Sequence, residues 1–160
     1  MPIDAQARHL FATGLVDDVI IANAYASEEE LKALSEVDRD MLTFGIELEP
    51  TVSDIEKEII FEFKHHVRAD MPKYMARSTM CRLAYANADI PATNTRDLKR
   101  GDIIVVNNEY GHYKGELHII LEDMPNDGRK NVVGHIPAYE HVMMEYVVPN
   151  AKFAFTTVKK

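Results

Sequence analysis

At Leu42 the periodicity of the chain changes, and that change restricts its architecture more than any other feature. Leu42, Phe44, Ile46 and Leu48 alternate with Thr43, Gly45, Glu47 and Glu49, the two-residue period of a half-buried strand. Before it the pattern is helical. Ile3, Ala7, Leu10 and Phe11 recur at helical spacing and Gly14 follows as a left-handed stop, which predicts a helix over 4–13. The unbroken apolar residues Val19, Ile20 and Ile21 predict a buried strand over 16–22, and Ser27 with Glu30 forms a capping box that opens a helix over 28–34. That is an α-β-α unit, whose single central strand has two unpaired edges and calls for neighbours.

After Leu42 short strands dominate. Ser53 with Glu56 offers a second capping box for a short helix, and Ile59, Phe61 and Phe63 then alternate towards His66. Further strands are predicted at 80–85, 102–107, 116–122, 130–134 and 152–158, with a helix over 137–146 whose start tolerates Pro137. Residues 108–111 and Asn126-Asp127-Gly128 mark turns. The expected fold class is therefore α+β. A compact, mainly antiparallel β-barrel occupies 42–160, and the α-β-α unit occupies 1–41.

Charge divides the chain in a similar place. Residues 1–64 carry 15 acids and five bases, and residues 65–160 carry 11 acids and 13 bases, for a total of −8. Such a balance opposes non-specific binding to nucleic acid or to anionic lipid, while a local basic pocket for a phosphorylated small molecule stays open. Six of the eight arginines lie in the second part, where a guanidinium fork suits phosphate or carboxylate; surface ion pairing is the competing account for most of them singly. The longest apolar, uncharged stretch near the start, 19–27, is far short of the ~20 residues of a membrane helix. With no signal-peptide pattern and Cys81 as the sole cysteine, a cytoplasmic location without disulfides is expected.

Chemistry-bearing candidates are few. His65 and His66 are neighbours, and on a strand they face opposite ways, so they cannot share one ion. No metal or other cofactor is expected. Cys81 reads as a buried, inert thiol on a strand. Arg100-Gly101-Asp102 spells an adhesion tripeptide at a turn into a strand and is discounted. Glu109 and Glu116, in the 108–116 loop, read as solvated acids rather than as a glycosidase pair. The junction 23–27 offers free N–H groups and a helix dipole to a phosphate, and an ordinary capped helix accounts for it equally well.

Five strings, in order, resemble one family. ARHLFATGLVDDVIIANAYASEEELKAL (7–34), the segment 65–70, Arg77-Ser78-Thr79 with Arg82, Asn94-Thr95-Arg96 with Arg100-Gly101-Asp102, and YGHYKGEL (110–117) with Asn131-Val132-Val133-Gly134 are similar to the 6-phospho-N-acetylmuramidases, long called outer surface proteins. The resemblance implies a (β/α)₈ barrel followed by a cyclophilin-like β-barrel. It further implies cleavage of a 6-phospho-muramic acid glycoside during peptidoglycan recycling in the cell wall's turnover. Residues 1–41 would be the end of the first barrel and 42–160 the second domain. A complete (β/α)₈ barrel needs roughly 250 residues; the resemblance implies that the candidate acid/base carboxylates sit in the earlier barrel strands, which have no counterpart here, and these residues alone are expected to be inactive.

From motif position and chemistry, the expected substrate-binding residues are Asn23, Arg77, Arg82, Asn108, Tyr113 and Glu116, and the expected ligand is a phosphorylated muramic acid sugar. A module that binds a phosphorylated amino sugar without cleaving it is an alternative. So is a diverged, self-associating remnant that buries its 16–22 face against a second copy. Several positions depart from the family: Ala22 replaces Gly, Val67 Asn, Ala69 Gly, Asn107 Asp and His112 Arg. These changes remove backbone freedom, an amide and a charge.

Overall fold

The alternating segment forms the strand it predicts, β1 (Leu42–Leu48), with Phe44 and Ile46 fully buried. The computed structural model describes residues 1–22 and 25–158. Along the chain follow α1 (Ile3–Ala12), α2 (Glu28–Ser35), β1, α3 (Asp54–Glu62), β2 (His65–His66), β3 (Met75–Ser78), α4 (Cys81–Ala84), β4 (Asp102–Val106), β5 (Leu117–Ile120), β6 (Lys130–His135) and β7 (Lys152–Thr157). Two 3-10 segments, Asn108–Tyr110 and Ala138–Tyr146, lie between strands. The sheet order is β2-β7-β1-β6-β4-β5-β3. The β1–β7 pairing is parallel and the other described pairings are antiparallel. The Arg68 N–H donates to the Arg77 carbonyl at 2.8 Å, so the two ends of the sheet nearly meet and the whole is a mixed α/β, barrel-like fold.

Two apolar layers follow from strands buried on both faces. Ile103 and Val105 of β4 point inward with Phe44, Ile46, Leu117, Ile119 and Phe153. Ile104 and Val106 point outward into a second cluster with Leu98, Ile120 and Val132, against which Met75, Tyr110, Tyr113 and Met124 pack. The outer face of the β3-β5-β4-β6 portion is therefore roofed by loops rather than wetted, which is why Ile103 to Val106 of β4 read as a continuous apolar run.

Three expected strands are corrected. Residues 16–22 form no strand: they pair with none of the seven described strands, and Ile20 is exposed. The α1 and α2 helices form on either side as expected, and α2 carries the Ser27–Glu30 capping box, but the strand between them is missing. The alternation of Ile59, Phe61 and Phe63 is overruled by the Ser53–Glu56 capping box, which commits the segment to α3 and buries Glu56, Ile59 and Ile60 on one helical face. At 80–85 the chain makes the helical turn α4, because the preceding residues of β3 already fill the ladder against β5 and the chain leaves the sheet at Ser78. The segment after Pro137 winds as a 3-10 helix. No helix among the described residues is long and apolar enough to cross a membrane.

The N-terminal helix is bolted to the barrel. Arg8, buried, donates to both carboxylate oxygens of buried Glu140 at 3.0 and 2.8 Å and to the Thr43 carbonyl at 2.8 Å.

His65 closes the other side of the barrel. Its ring stacks on Phe153 with centroids 5.1 Å apart. Its Nε2 donates to the Ile59 carbonyl at 2.9 Å, and its Nδ1 then accepts from Ser78 Oγ at 2.9 Å. Burial pushes its pKa from 6.5 down to about 4. The unfolded chain thus binds a proton near pH 6.5 that the folded chain refuses until about pH 4, so the stability His65 contributes is full above 6.5 and is lost as pH falls towards 4. The expected loss is on the order of 3 kcal/mol. Urea unfolding of wild type and His65→Asn at pH 7 and 4.5 checks it: the variant should lose less stability between the two, and equal losses would contradict the assignment.

Candidate functional site

Arg77 leaves β3 on the outer face of the barrel, and Arg82 follows one helical turn later on α4. The strand-to-helix break between them folds the two guanidinium groups onto a single carboxylate. Glu116 is fully buried at the entrance to β5. Its oxygens accept from Arg77 Nε at 3.2 Å, Arg77 Nη2 at 3.2 and 2.8 Å, and Arg82 Nη1 at 3.0 Å. His118, two residues further along the same face of β5, lies with Nε2 3.0 Å from Glu116 Oε2. Gly115 makes the turn into Glu116 with a φ of +86°, a left-handed conformation in which any other side chain would be strained. Glu116 is thus a buried, ion-paired residue and not the solvated loop acid expected; Glu109 is exposed.

Tyr113 completes the cluster. Both guanidinium carbons sit 5.5 Å from its ring centroid, a cation–π arrangement that also holds the forks flat. Tyr110 packs on Tyr113 with centroids 4.7 Å apart, and Arg129 lies 4.8 Å over Tyr110.

The electrostatics favour an anion. Burial alone would raise the Glu116 carboxyl, but hydrogen bonds from His118 and Arg77 and the charge of Arg77 outweigh it and hold the group below the usual carboxylate range. Two cations facing one anion leave a local excess of positive charge. A guanidinium has five N–H donors. Among the described residues, Arg77 Nη1 and Arg82 Nε and Nη2 donate to no protein group, while the two side chains are 21% and 29% exposed. Held by a carboxylate from behind, such forks are pre-oriented for an oxyanion in front. Glu116, ionised and sealed from solvent, is suited to fix the arginines and not to protonate a leaving group.

Of the expected binding residues, the structure brings together Arg77, Arg82, Tyr113 and Glu116. Asn108 begins the same loop, but its amide is engaged elsewhere, donating to Asp89 Oδ1 at 2.7 Å and accepting from the Ile90 N–H at 3.0 Å. Asn23, and with it the start of the 23–27 junction, lies outside the described residues. His118 was missed, although the spacing of Glu116 and His118 on one strand already placed them on one face. Cys81 is buried, on α4 rather than on a strand; its thiol donates to the Ser78 carbonyl at 3.1 Å, and burial pushes its pKa up to about 11. Asp102 of the Arg-Gly-Asp string is buried and gripped by Arg96 at 2.6 and 3.0 Å, so it presents no free carboxylate.

Comparison with known proteins agrees with the sequence strings. The C-terminal model of the 6-phospho-N-acetylmuramidases matches residues 42–156, and their N-terminal model matches residues 1–36. A crystal structure of an uncharacterized B. cereus protein superposes with a TM-score of 0.93 at 44% identity, over 98% of this chain and 45% of that one. A conserved Enterococcus faecalis protein of unknown function superposes at 0.66 with 24% identity, over 96% of this chain and 41% of that one, a likeness of fold alone. The chain therefore spans less than half the length of either. A search of curated proteins finds no match.

Proposed function

Because the chain belongs to the 6-phospho-N-acetylmuramidase family, we propose that these 160 residues bind the phosphorylated muramic acid sugar for a family glycosidase and do not themselves break the glycosidic bond. The observation that carries the reading is the Arg77–Glu116–Arg82 cluster, with its outward N–H groups and Tyr113 beside them. The phosphoryl group would receive the uncommitted N–H groups of both arginines, and the edge of Tyr113 would border the sugar ring. Peptidoglycan recycling in the cytoplasm is the setting this reading implies.

Cleavage is reserved for other residues on chemical grounds. A glycosidase needs two carboxyl groups roughly 5–10 Å apart, one of them able to give up a proton. Glu116 is held ionised by its partners, and the proposal gives it no proton to transfer. Incubation with a disaccharide that carries a 6-phosphorylated muramic acid residue tests this. Mass spectrometry is expected to find the disaccharide intact, and titration to find it bound. Release of the phosphosugar by the purified chain would contradict the division of labour, and absence of binding would remove the proposal.

A further inference from the structure

His118 is the cross-strand neighbour of Arg77 and sits two residues from Glu116, all three on the outer face of the sheet. The His118 side chain is 6% exposed. Its Nε2 lies 3.0 Å from Glu116 Oε2, and its Nδ1 is buried with no hydrogen-bond partner among the described residues. A carboxylate only accepts, so Nε2 carries the hydrogen. A second proton on Nδ1 would be a buried donor with nothing to bond. The charged groups around the ring are Glu116 on its own strand, Arg77 on β3, Lys130 on β6 and Arg82 reaching Glu116 from α4. Three cations therefore oppose a further positive charge that one carboxylate favours. Burial acts in the same direction as the cations and lowers the pKa of the ring.

We propose that neutral His118 is a positioning residue of the anion site, in which its Nε2–H fixes Glu116 so that the carboxylate aims Arg77 and Arg82 at a phosphomonoester. The inference rests on the binding role proposed above. His118 touches no ligand and acts through one oxygen. Glu116 Oε2 also takes the shortest Arg77 bond, at 2.8 Å, so rotation of an unheld carboxylate turns the Arg77 fork away.

The test uses N-acetylmuramic acid 6-phosphate as probe, titrated into wild type, His118→Phe and His118→Gln. Glutamine carries an N–H at the place of Nε2, and phenylalanine carries none. The phenylalanine variant is expected to lose about tenfold in affinity and the glutamine variant to recover most of it. Two-dimensional ¹⁵N spectra of the wild-type imidazole are expected to give the neutral Nε2–H tautomer at pH 7. Wild-type binding with an unaltered His118→Phe affinity, or no recovery by glutamine, overturns the inference and leaves the binding role standing. No wild-type binding overturns both. An Nδ1–H tautomer or an imidazolium at pH 7 overturns the inference whatever the affinities. Should His118→Phe not fold, His118→Asn, whose amide falls short of Glu116, takes its place with the same expected loss.

Discussion

Replacing Glu140 by alanine is expected to cost about 3–5 kcal/mol of folding stability, the range for breaking one side of a buried ion pair. The carboxylate is 1% exposed and its partner Arg8 is 5% exposed. Glu140 accepts from two nitrogens of that guanidinium and from the Gly45 N–H at 2.7 Å. Its removal leaves a buried positive charge whose remaining carboxylate partner is the partly exposed Asp4, at 3.1 Å, and a buried backbone donor with nothing to bond. The packing is equally intolerant: a Cβ on Gly45 would stand 2.9 Å from Glu140 Oε1. Urea unfolding should register the loss as a midpoint lower by roughly 2 M, given slopes of about 1–3 kcal/mol/M. The double replacement Arg8→Met with Glu140→Leu should recover much of it, since it removes both charges at once. A loss under about 1 kcal/mol in Glu140→Ala would mean that α1 is not held to the barrel by this pair.

The second large effect belongs to ligand binding. Arg77→Ala is expected to weaken binding of N-acetylmuramic acid 6-phosphate by about a hundredfold, because charge-assisted hydrogen bonds contribute roughly 1.5–3 kcal/mol each. Arg82→Lys keeps the charge and loses the fork, so a loss of about tenfold is expected there. Arg77→Ala also strips Glu116 of three of its hydrogen bonds. Its unfolding curve must therefore accompany the titration, so that lost affinity is read on folded protein. A folded Arg77→Ala that binds as wild type does would exclude the cluster as the phosphate site.

Local signals in the sequence carried much of this architecture. The alternation at Leu42, the predicted strands that became β4 to β7, and both Ser-x-x-Glu capping boxes are properties of neighbouring residues, and each formed as its chemistry requires. So did the left-handed stop at Gly14, whose φ is +67°. What could not be read depends on partners distant in the chain. Residues 16–22 have the composition of a buried strand, but composition supplies no neighbour to pair with. The Arg8–Glu140 pair joins residues 132 positions apart, and no spacing rule reaches that far. At the candidate site, the motif positions of Arg77, Arg82 and Tyr113 pointed to one place. The burial of Glu116 depends on Arg77, Arg82 and His118 closing on one carboxylate, and the first two lie 39 and 34 positions away in the chain. A lone histidine in a strand carries no signal of its own; for His118 the informative quantity is its two-residue spacing from Glu116.

The central claim is that this barrel face recognises a phosphorylated sugar through paired arginines, and calorimetric titration of the chain tests it most directly, with N-acetylmuramic acid 6-phosphate set against the unphosphorylated sugar. Saturable binding of the phosphorylated form, with affinity for the unphosphorylated form lower by at least tenfold, is the predicted result. Equal affinities, or no heat from the phosphorylated sugar at millimolar concentration, would contradict it.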